Sequence, residues 1–409
     1  MQLLKKTHIH MKLLNTEIKN NVLKSMITIL ERERTAIIDA NKKDLEAFQR
    51  EDQALYDRLI VNDKKVDEMI AAVNAVMLQD DPVGKEITNR TLDNKLNIVN
   101  TTAPFGTILI IYESRPDVTI EAAVLAFKAN NKILLKGGKE ALNSNLILEQ
   151  LWHEALEANG LSKDWIKLLH LQREETQEFL KNPTEPLDLI VPRGGERLIN
   201  FVKTHATCAV LISGRGNNFL YVSEHADWSK AVNVIINAKT DKISGCNALD
   251  KVLINKNLPE YDTKVKMLQE KLEQHKVEVL VDAKIGRILT DKTVVTEENV
   301  WHEEFLALKI LIGEVSSSEE AIEMINTYSG KHSASIITED KTEALNFMHN
   351  VDSAAVYHNA STRFTDGGQM GVGAELAIST DKLHHRGPLG LNQLVTNKYY
   401  VYGDGQVRV

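Results

Sequence analysis

The chain has 409 residues and a formal net charge of −8, with 43% hydrophobic and 26% charged residues. This length favours two or three domains, and the composition is that of an ordinary soluble globular protein. The negative charge argues against a general nucleic-acid binder. Two cysteines cannot form a disulfide scaffold, so we expect a reducing compartment.

The first residues carry Lys5, Lys6 and Lys12 but no clean apolar segment, so no secretory signal is evident. No apolar run approaches the length of a membrane span. We therefore expect a cytoplasmic protein with no membrane or nucleic-acid partner.

Residues 1–88 begin with helices, because Leu23, Met26, Ile27 and Leu30 recur at helical spacing. Residues 89–103 and 392–409 alternate like strands instead, and a Gly403-Asp-Gly405 turn lies in the second segment. These two arms can pair with each other or with another subunit.

Strands and helices alternate over residues 104–239, which predicts a parallel sheet with both faces covered. We interpret this part, together with residues 1–88, as a Rossmann-like nucleotide-binding domain. The alternation repeats over residues 240–391 and predicts a second α/β domain, with the boundary close to residue 240. The fold class is therefore α/β.

One cysteine lies where a nucleophile would be expected. Residues 228–239 predict a helix with Asp227 as its N-cap, and a polar loop then carries Gly245 and Cys246 ahead of a predicted strand at 252–254. A loop gives a thiolate access while its neighbours hold it rigidly. The alternative is a buried structural cysteine.

The segment Asn237-Ala-Lys-Thr…Cys246-Asn-Ala-Leu resembles the cysteine loop of the gamma-glutamyl phosphate reductases, a branch of the aldehyde dehydrogenase superfamily. Residues 111–118, 135–141, 364–375 and 382–391 are similar to other motifs of that family, in the same order. The resemblance implies an aldehyde dehydrogenase-like fold with Cys246 as catalytic nucleophile. It also implies a homo-oligomer in which residues 89–103 and 392–409 form a small β oligomerisation arm.

The resemblance also implies a dinucleotide site. No Gly-x-Gly-x-x-Gly fingerprint follows the first strand, as in the superfamily, where a strand-end lysine contacts the adenine ribose. Lys136, followed by Gly137, matches that position, and a lysine there would favour NADPH. Gly194 and Gly195 precede a helix whose N-terminus favours a pyrophosphate. The alternative for Lys136 is a surface charge.

Ser114 stands where the wider superfamily has an asparagine that donates to the oxyanion, so we expect a catalytic role. Arg115 can bind a substrate carboxylate or phosphate, or form a structural ion pair. Arg363 with Asp366, and Gly371 with Gly373, resemble the substrate-facing loop. Cys208 begins an apolar run, so we expect a small core residue without a catalytic role. No carboxylate or thiol stands at ligand spacing from the adjacent His384 and His385, so we expect no metal.

The implied reaction reduces L-glutamyl 5-phosphate with NADPH to L-glutamate 5-semialdehyde and phosphate, in proline biosynthesis. Glutamate 5-kinase is then a possible partner. A semialdehyde-oxidising dehydrogenase and a noncatalytic descendant remain alternatives. Hydrolytic relatives carry a base glutamate, whereas this chain has Ile212 or Ser213 at that place. Residues 217–221 depart from the reductase pattern.

Overall fold

The computed structural model describes residues 13–49 and 53–408 and divides the chain into two compact units. One unit contains the described residues up to Ile212 together with Val372–Ala377 and those from Leu389 onward. The other contains Ser213–Gly371 and Ile378–Pro388. Lys5, Lys6 and Lys12 lie outside the described residues.

The first unit begins with helices, as the helical spacing predicts. Leu23, Met26 and Leu30 are fully buried on one face of the first helix, and Asn15 caps that helix by accepting a hydrogen bond from the Ile18 N–H. The elements are α1 (Thr16–Arg32), α2 (Arg34–Ala47), α3 (Gln53–Leu59) and α4 (Asp63–Met77), then the antiparallel strands β1 (Glu86–Thr91) and β2 (Asn97–Pro104).

A five-stranded parallel sheet follows, in the spatial order β5-β4-β3-β6-β7. Its central strand is buried at every position, which a parallel sheet covered on both faces requires. The strands are β3 (Thr107–Tyr112), β4 (Lys132–Lys136), β5 (Ile166–Leu168), β6 (Leu189–Arg193) and β7 (Ala209–Val210), with α5 (Val118–Lys128), α6 (Leu142–Ala158), α7 (Arg173–Lys181) and α8 (Glu196–His205) between them.

The second unit contains a seven-stranded parallel sheet in the order β11-β10-β12-β9-β8-β13-β14. Its strands are β8 (Asn218–Val222), β9 (Leu249–Asn255), β10 (Glu278–Val281), β11 (Thr293–Val294), β12 (Lys309–Val315), β13 (Ser333–Ile337) and β14 (Ala355–His358). Its helices are α9 (Trp228–Thr240), α10 (Tyr261–Gln274), α11 (Asn299–His302), α12 (Ser318–Tyr328) and α13 (Lys341–Asn350), and the short strands β15 (Ile378–Ser379) and β16 (Gly387–Pro388) pair as a hairpin.

The division between the units differs from the boundary near residue 240 that we predict from sequence. It lies between Ile212 and Ser213, because β8 and α9 belong to the second sheet rather than the first. The sequence analysis contains no strand at Asn218–Val222. The fully buried β8 pairs with β9 and β13 and forms the middle of that sheet.

The two strand-like arms pair with each other. The last strand, β17 (Val395–Tyr402), runs antiparallel to β2 over eight residue pairs, and β2 also pairs with β1. The β1 residues are all exposed, as are seven of the eight in β17. The role of this sheet in oligomerisation stays a prediction.

The α/β class with parallel sheets is confirmed. Among the residues that the structure describes, no helix is both long and apolar enough to cross a membrane.

Candidate active site

The predicted cofactor residues gather at one edge of the five-stranded sheet. The chain runs from β3 outward to β4 and β5, then returns to the other side of β3 as β6 and β7. The strand order therefore reverses between β3 and β6. In open parallel sheets, ligands bind at the carboxyl ends of the strands at such a reversal.

Lys136 is the last residue of β4 and reaches this edge. Its ammonium group donates to the Gly137 carbonyl at 2.8 Å, and no carboxylate of the described residues lies within ion-pair distance. Burial lowers the pKa of this group, and Glu140 opposes the shift. A half-buried lysine without a carboxylate partner suits an anionic or hydroxyl-bearing ligand.

The glycines that we predict to bind the cofactor are present for different structural reasons. A Cβ at Gly194 would lie 2.7 Å from Glu113 Oε2 and 2.8 Å from a Leu198 methyl, and one at Gly137 would overlap the Asn145 side chain. Packing explains these two glycines. Gly195 is the N-cap of α8 and has open space where a Cβ would stand. Its N–H donates to Glu113 Oε2 at 3.5 Å, and a ligand at the helix N-terminus would replace this acceptor.

Ser114 follows β3 in a strained backbone conformation, with φ of +40°. The side chain is fully buried, and its hydroxyl and N–H both donate to Glu140 Oε1, at 2.7 and 3.0 Å. The hydroxyl is therefore engaged within the first unit. The oxyanion role that we predict for Ser114 requires this hydroxyl to leave Glu140.

Arg115 forms the ion pair that was one of its two predicted roles. Its guanidinium donates to Asp117 Oδ2 at 3.2 Å, and Lys65 Nζ lies 3.0 Å from the same oxygen. Although burial opposes it, the two cations lower the pKa of the Asp117 carboxyl. The guanidinium is 38% exposed, so substrate binding by Arg115 stays a prediction.

Cys246 lies in the second unit, in the turn between α9 and β9. Asp227 caps α9 as predicted, accepting from the Ser229 and Lys230 N–H groups. The thiol residue is half-buried, whereas the next residues, Asn247 and Ala248, are buried. Cys246 is therefore more exposed than a core residue would be.

The Cys246 backbone is closely supported. A Cβ at Gly216 would overlap the Cys246 carbonyl oxygen and lie 2.6 Å from its Cα, so only glycine fits there. The Asn247 amide donates to the carbonyls of Arg363 and Thr365, at 3.1 and 2.9 Å. These contacts fix the main chain on both sides of the cysteine.

The Arg363 side chain lies against the turn that carries Cys246. A Cβ at Gly245 would lie 2.7 Å from Arg363 Nη1, so the guanidinium rests against the residue before Cys246. Its Nε donates to Asp241 Oδ2 at 3.0 Å. Gly245 has no positive φ, so this close approach explains the glycine, rather than the backbone freedom that we expect from sequence.

Gly371 and Gly373 both have positive φ, +73° and +84°, but the first lies in the second unit and the other in the first. Asp366 accepts from the N–H groups of Gly368 and Gln369. The Asp366 carboxylate thus organises the turn. Of the two glycines, only Gly371 belongs to the second unit, where its backbone stays a candidate for substrate binding.

A group of buried charges close to Cys246 escaped the sequence analysis. Lys239 Nζ lies 2.8 Å from Asp250 Oδ1, with both side chains almost fully buried. Burial lowers the pKa of Lys251 to about 7, and its ammonium donates to the Glu303 carbonyl at 2.7 Å. Burial raises the pKa of Glu304, which accepts from the Gly216 N–H. Only the run Asp250-Lys251 hints at these charges in the sequence.

Cys208 is half-buried in the first unit, where burial and Asp188 raise the pKa of its thiol. Within residues 13–49 and 53–408, no three His, Cys, Asp or Glu side chains come together as a possible metal site.

The chain matches a known protein family over most of its length. The model of the aldehyde dehydrogenase family matches residues 5–295 and 288–374. The gamma-glutamyl phosphate reductase of Thermotoga maritima is 43% identical over 396 residues, covering 96% of this chain and 94% of the relative. That of Dictyoglomus turgidum is 41% identical over 398 residues, covering 97% and 95%.

Solved structures extend the match to the fold. The crystal structure of the T. maritima gamma-glutamyl phosphate reductase superposes with a TM-score of 0.92 at 42% identity, covering 97% of this chain and 95% of that one. An acetylating aldehyde dehydrogenase from Geobacillus thermoglucosidasius shares the fold at 18% identity, with a TM-score of 0.69, covering 97% and 94%.

The chain belongs to the aldehyde dehydrogenase family and, within it, to the gamma-glutamyl phosphate reductases. It is therefore an oxidoreductase.

Proposed function

We propose that this protein reduces L-glutamyl 5-phosphate to L-glutamate 5-semialdehyde and phosphate with NADPH, through a thioester on Cys246. The names of its relatives support the substrate. The observation that carries the proposal is the Cys246 turn, in which a half-buried cysteine with a closely supported main chain follows Gly245, the residue against which the Arg363 guanidinium lies. A cysteine held in a turn that a cation contacts suits an anionic acyl phosphate.

In the first step, the Cys246 sulfur bonds to the acyl carbon while the carbon–oxygen bond to phosphate breaks. Phosphate leaves as a stable anion, so no acid is obligatory. We assign Arg363 to hold an anionic end of the substrate through its Nη groups, since Asp241 occupies its Nε. Positioning of this kind lowers the entropic cost of the attack.

The residues at the carboxyl edge of the first sheet fit a dinucleotide. Lys136, an ammonium with no carboxylate partner among the described residues, would meet the adenine ribose, where a 2′-phosphate would favour NADPH over NADH. The open backbone at Gly195 would meet the pyrophosphate. When bound, the nicotinamide supplies the hydride that reduces the thioester carbon.

The reduced carbon, bonded to the Cys246 sulfur and to an oxygen, then expels the thiolate and leaves as the aldehyde. An oxyanion at that carbon needs hydrogen-bond donors. We assign this role to the Cys246 N–H and, once it is released from Glu140, to the Ser114 hydroxyl.

Hydrolysis of the thioester would instead make this a semialdehyde-oxidising dehydrogenase. Neither Ile212 nor Ser213 can act as the base that activates water, and such help is worth roughly 10²–10⁴-fold. Glu304, which reaches the Cys246 turn through the Gly216 N–H, is the carboxylate to test. Burial raises the pKa of the Glu304 carboxyl, and a raised pKa favours general-base catalysis by a carboxylate, so Glu304 is the residue whose role this assay has to exclude.

The reverse reaction separates the two activities. Glutamate semialdehyde and NADP are incubated with and without inorganic phosphate, and NADPH and free glutamate are measured. We expect NADPH formation only with phosphate and negligible glutamate. Sustained NADPH formation with stoichiometric glutamate in phosphate-free buffer would overturn the proposal, and Glu304→Gln would then identify the base.

Two cysteine variants complete this test. Cys246→Ser should abolish turnover, because a serine hydroxyl is far less ionised than a thiol at neutral pH. Cys208→Ser is the matched control and should keep full activity. More than a few per cent of activity in Cys246→Ser would refute the thioester.

We also assign the β1-β2-β17 sheet to association with a second copy of the chain, because both of its outer strands are exposed. We further propose that the protein acts in the cytoplasm, in proline biosynthesis. A glutamate 5-kinase would supply the unstable acyl phosphate.

A further inference from the structure

Asn218 is fully buried at the first position of β8, and its side-chain amide lies at the centre of the Cys246 turn. The amide nitrogen is 2.7 Å from the Gly216 and Ala248 carbonyl oxygens and 2.8 Å from that of Cys246. The amide oxygen accepts from the Ser333 N–H at 2.9 Å. Every hydrogen-bonding capacity of this side chain is therefore directed at main-chain groups.

An irregularity in the sheet creates the need for this side chain. In the pairing of β8 with β9, Asn218 lies opposite Leu249 but Phe219 lies opposite Lys251, so Asp250 is an extra residue on β9. Such a bulge interrupts the ladder of main-chain hydrogen bonds. Buried carbonyls near the bulge need partners, and the Asn218 amide supplies them.

The same amide closes a ring of hydrogen bonds around the cysteine. From Asn218 the ring passes to Ser333, whose hydroxyl is 2.6 Å from Thr365 Oγ1. The Thr365 carbonyl accepts from the Asn247 amide at 2.9 Å, and Asn247 is the residue after Cys246. The Cys246 main chain is thus fixed in two ways, by the hydrogen bond to its carbonyl from Asn218 and by the hydrogen bond from the side chain of Asn247.

We propose that Asn218 is a positioning residue for catalysis, which sets the orientation of the Cys246 main chain and hence of its sulfur. The proposal rests on Cys246 being the nucleophile. It gives a role to Asn218, the first residue of β8. A misplacement of about 1 Å in a reacting group costs on the order of 100-fold in rate, which is the scale of the effect expected here.

Asn217 offers a matched control one residue away. It is equally buried, and its amide also donates to two carbonyls, those of Trp301 at 2.6 Å and Tyr328 at 2.9 Å. Neither of these belongs to the Cys246 turn. Asn217→Ala therefore removes the same chemical group from the residue that precedes β8 and leaves the cysteine main chain with its support.

The test measures Cys246 directly as well as turnover. The rate of Cys246 alkylation by iodoacetamide is followed by peptide mass spectrometry from pH 6 to pH 10, alongside kcat, the KM for NADP and thermal unfolding, in full-length protein. For Asn218→Ala we expect a changed pH profile of alkylation and a kcat lowered on the order of 100-fold, with an unchanged KM for NADP. Asn217→Ala should lower only the unfolding temperature.

Asn218→Asp keeps the volume and the acceptor for the Ser333 N–H but turns an oxygen towards three carbonyl oxygens. We expect it to alter alkylation and kcat at least as much as Asn218→Ala does. Restoration of wild-type values by Asn218→Asp would mean that Asn218 only fills space, and equal effects of Asn217→Ala and Asn218→Ala would mean a purely structural role. Either result overturns the proposal.

Failure of the proposed function has a different signature. A wild-type protein that does not turn over glutamate semialdehyde refutes the reaction, while the alkylation profiles of the variants still decide whether Asn218 positions the Cys246 thiol.

Discussion

The ion pair between Lys239 and Asp250 joins the two ends of the segment that carries Cys246. Lys239 lies in the last turn of α9 and Asp250 in the second position of β9, eleven residues on. Lys239→Met keeps the length of the side chain and removes its charge. The Asp250 carboxylate then remains buried, with the Phe305 N–H at 3.1 Å as a hydrogen-bond donor.

The expected loss follows from that burial. Removing one partner of a buried ion pair costs about 3–5 kcal/mol, because the remaining charge is left without compensation. Lys251 is adjacent and partly offsets the charge of Asp250, so we expect about 3 kcal/mol. In the double variant Lys239→Met/Asp250→Asn the Asp250 carboxylate is no longer left without its partner, and the loss should fall well below the sum of the single losses.

Native-state hydrogen exchange suits this measurement, because it reports the opening of each part of the chain separately. The peptides that cover β9 give the opening free energy of the second unit, and those that cover β3 give that of the first as an internal reference. Lys230→Met is the matched control on the same helix. Lys230 pairs with Glu339 at 2.7 Å, but both side chains are about half exposed, so exchange at β9 should stay unchanged.

The reasoning fails if Lys239→Met changes exchange at β9 no more than Lys230→Met does. It also fails if the losses of the two single variants simply add in the double variant, since additivity would mean that the two charges do not interact.

Three further predictions concern separate parts of the molecule. Lys136→Ala should raise the KM for NADPH and reduce any preference for NADPH over NADH, because a charge-assisted hydrogen bond worth roughly 1.5–3 kcal/mol is lost. Unchanged KM values for both cofactors would mean that Lys136 is only a surface charge. Deleting the residues from Lys398 onward should dissociate the oligomer without unfolding either unit, which light scattering combined with circular dichroism would check; a native oligomeric mass would refute the arm assignment. Burial lowers the pKa of His332 from 6.5 to about 4, so the unfolded chain binds a proton in this range that the folded protein does not, and stability falls as the pH drops from 6.5 through 4. The contribution lost at pH 4 is about 3 kcal/mol, and urea unfolding of His332→Asn, which keeps a polar group near Ser333, should depend less on pH over this range.

Much of the fold could be predicted from local patterns. The helix predicted over residues 228–239 with Asp227 as its N-cap is found as Trp228–Thr240, because helical spacing and capping residues are local signals. The strand Asn218–Val222 was missed, since asparagines stand just before it and at its first position. Asn217 and Asn218 are both buried because their amides satisfy carbonyls as many as 111 residues away, and no local pattern encodes such contacts.

The candidate site divides in the same way. Cys246 is recognisable by residue type and by its place in a loop between predicted elements, whereas Lys136 and Arg363 are singled out by the family resemblance. The engagement of Ser114 by Glu140 depends on a side chain 26 residues away and on a strained backbone. The reason for Gly245 is likewise the approach of Arg363, more than a hundred residues later, rather than a turn that the surrounding sequence specifies.

The pairing of β2 with β17 has a consequence for how the chain folds as it is synthesised. Asn100 and Asn397, whose side chains are hydrogen-bonded, are 297 residues apart, and all of the second unit is made between them. Until the ribosome has produced β17, one edge of β2 stays unpaired, and an exposed strand edge is a template for aggregation. A nascent chain stalled before residue 395 therefore has a complete seven-stranded sheet but a β1-β2 hairpin with one unpaired edge. Chaperones that bind extended segments should stay bound to this hairpin longer than to the rest of the stalled chain.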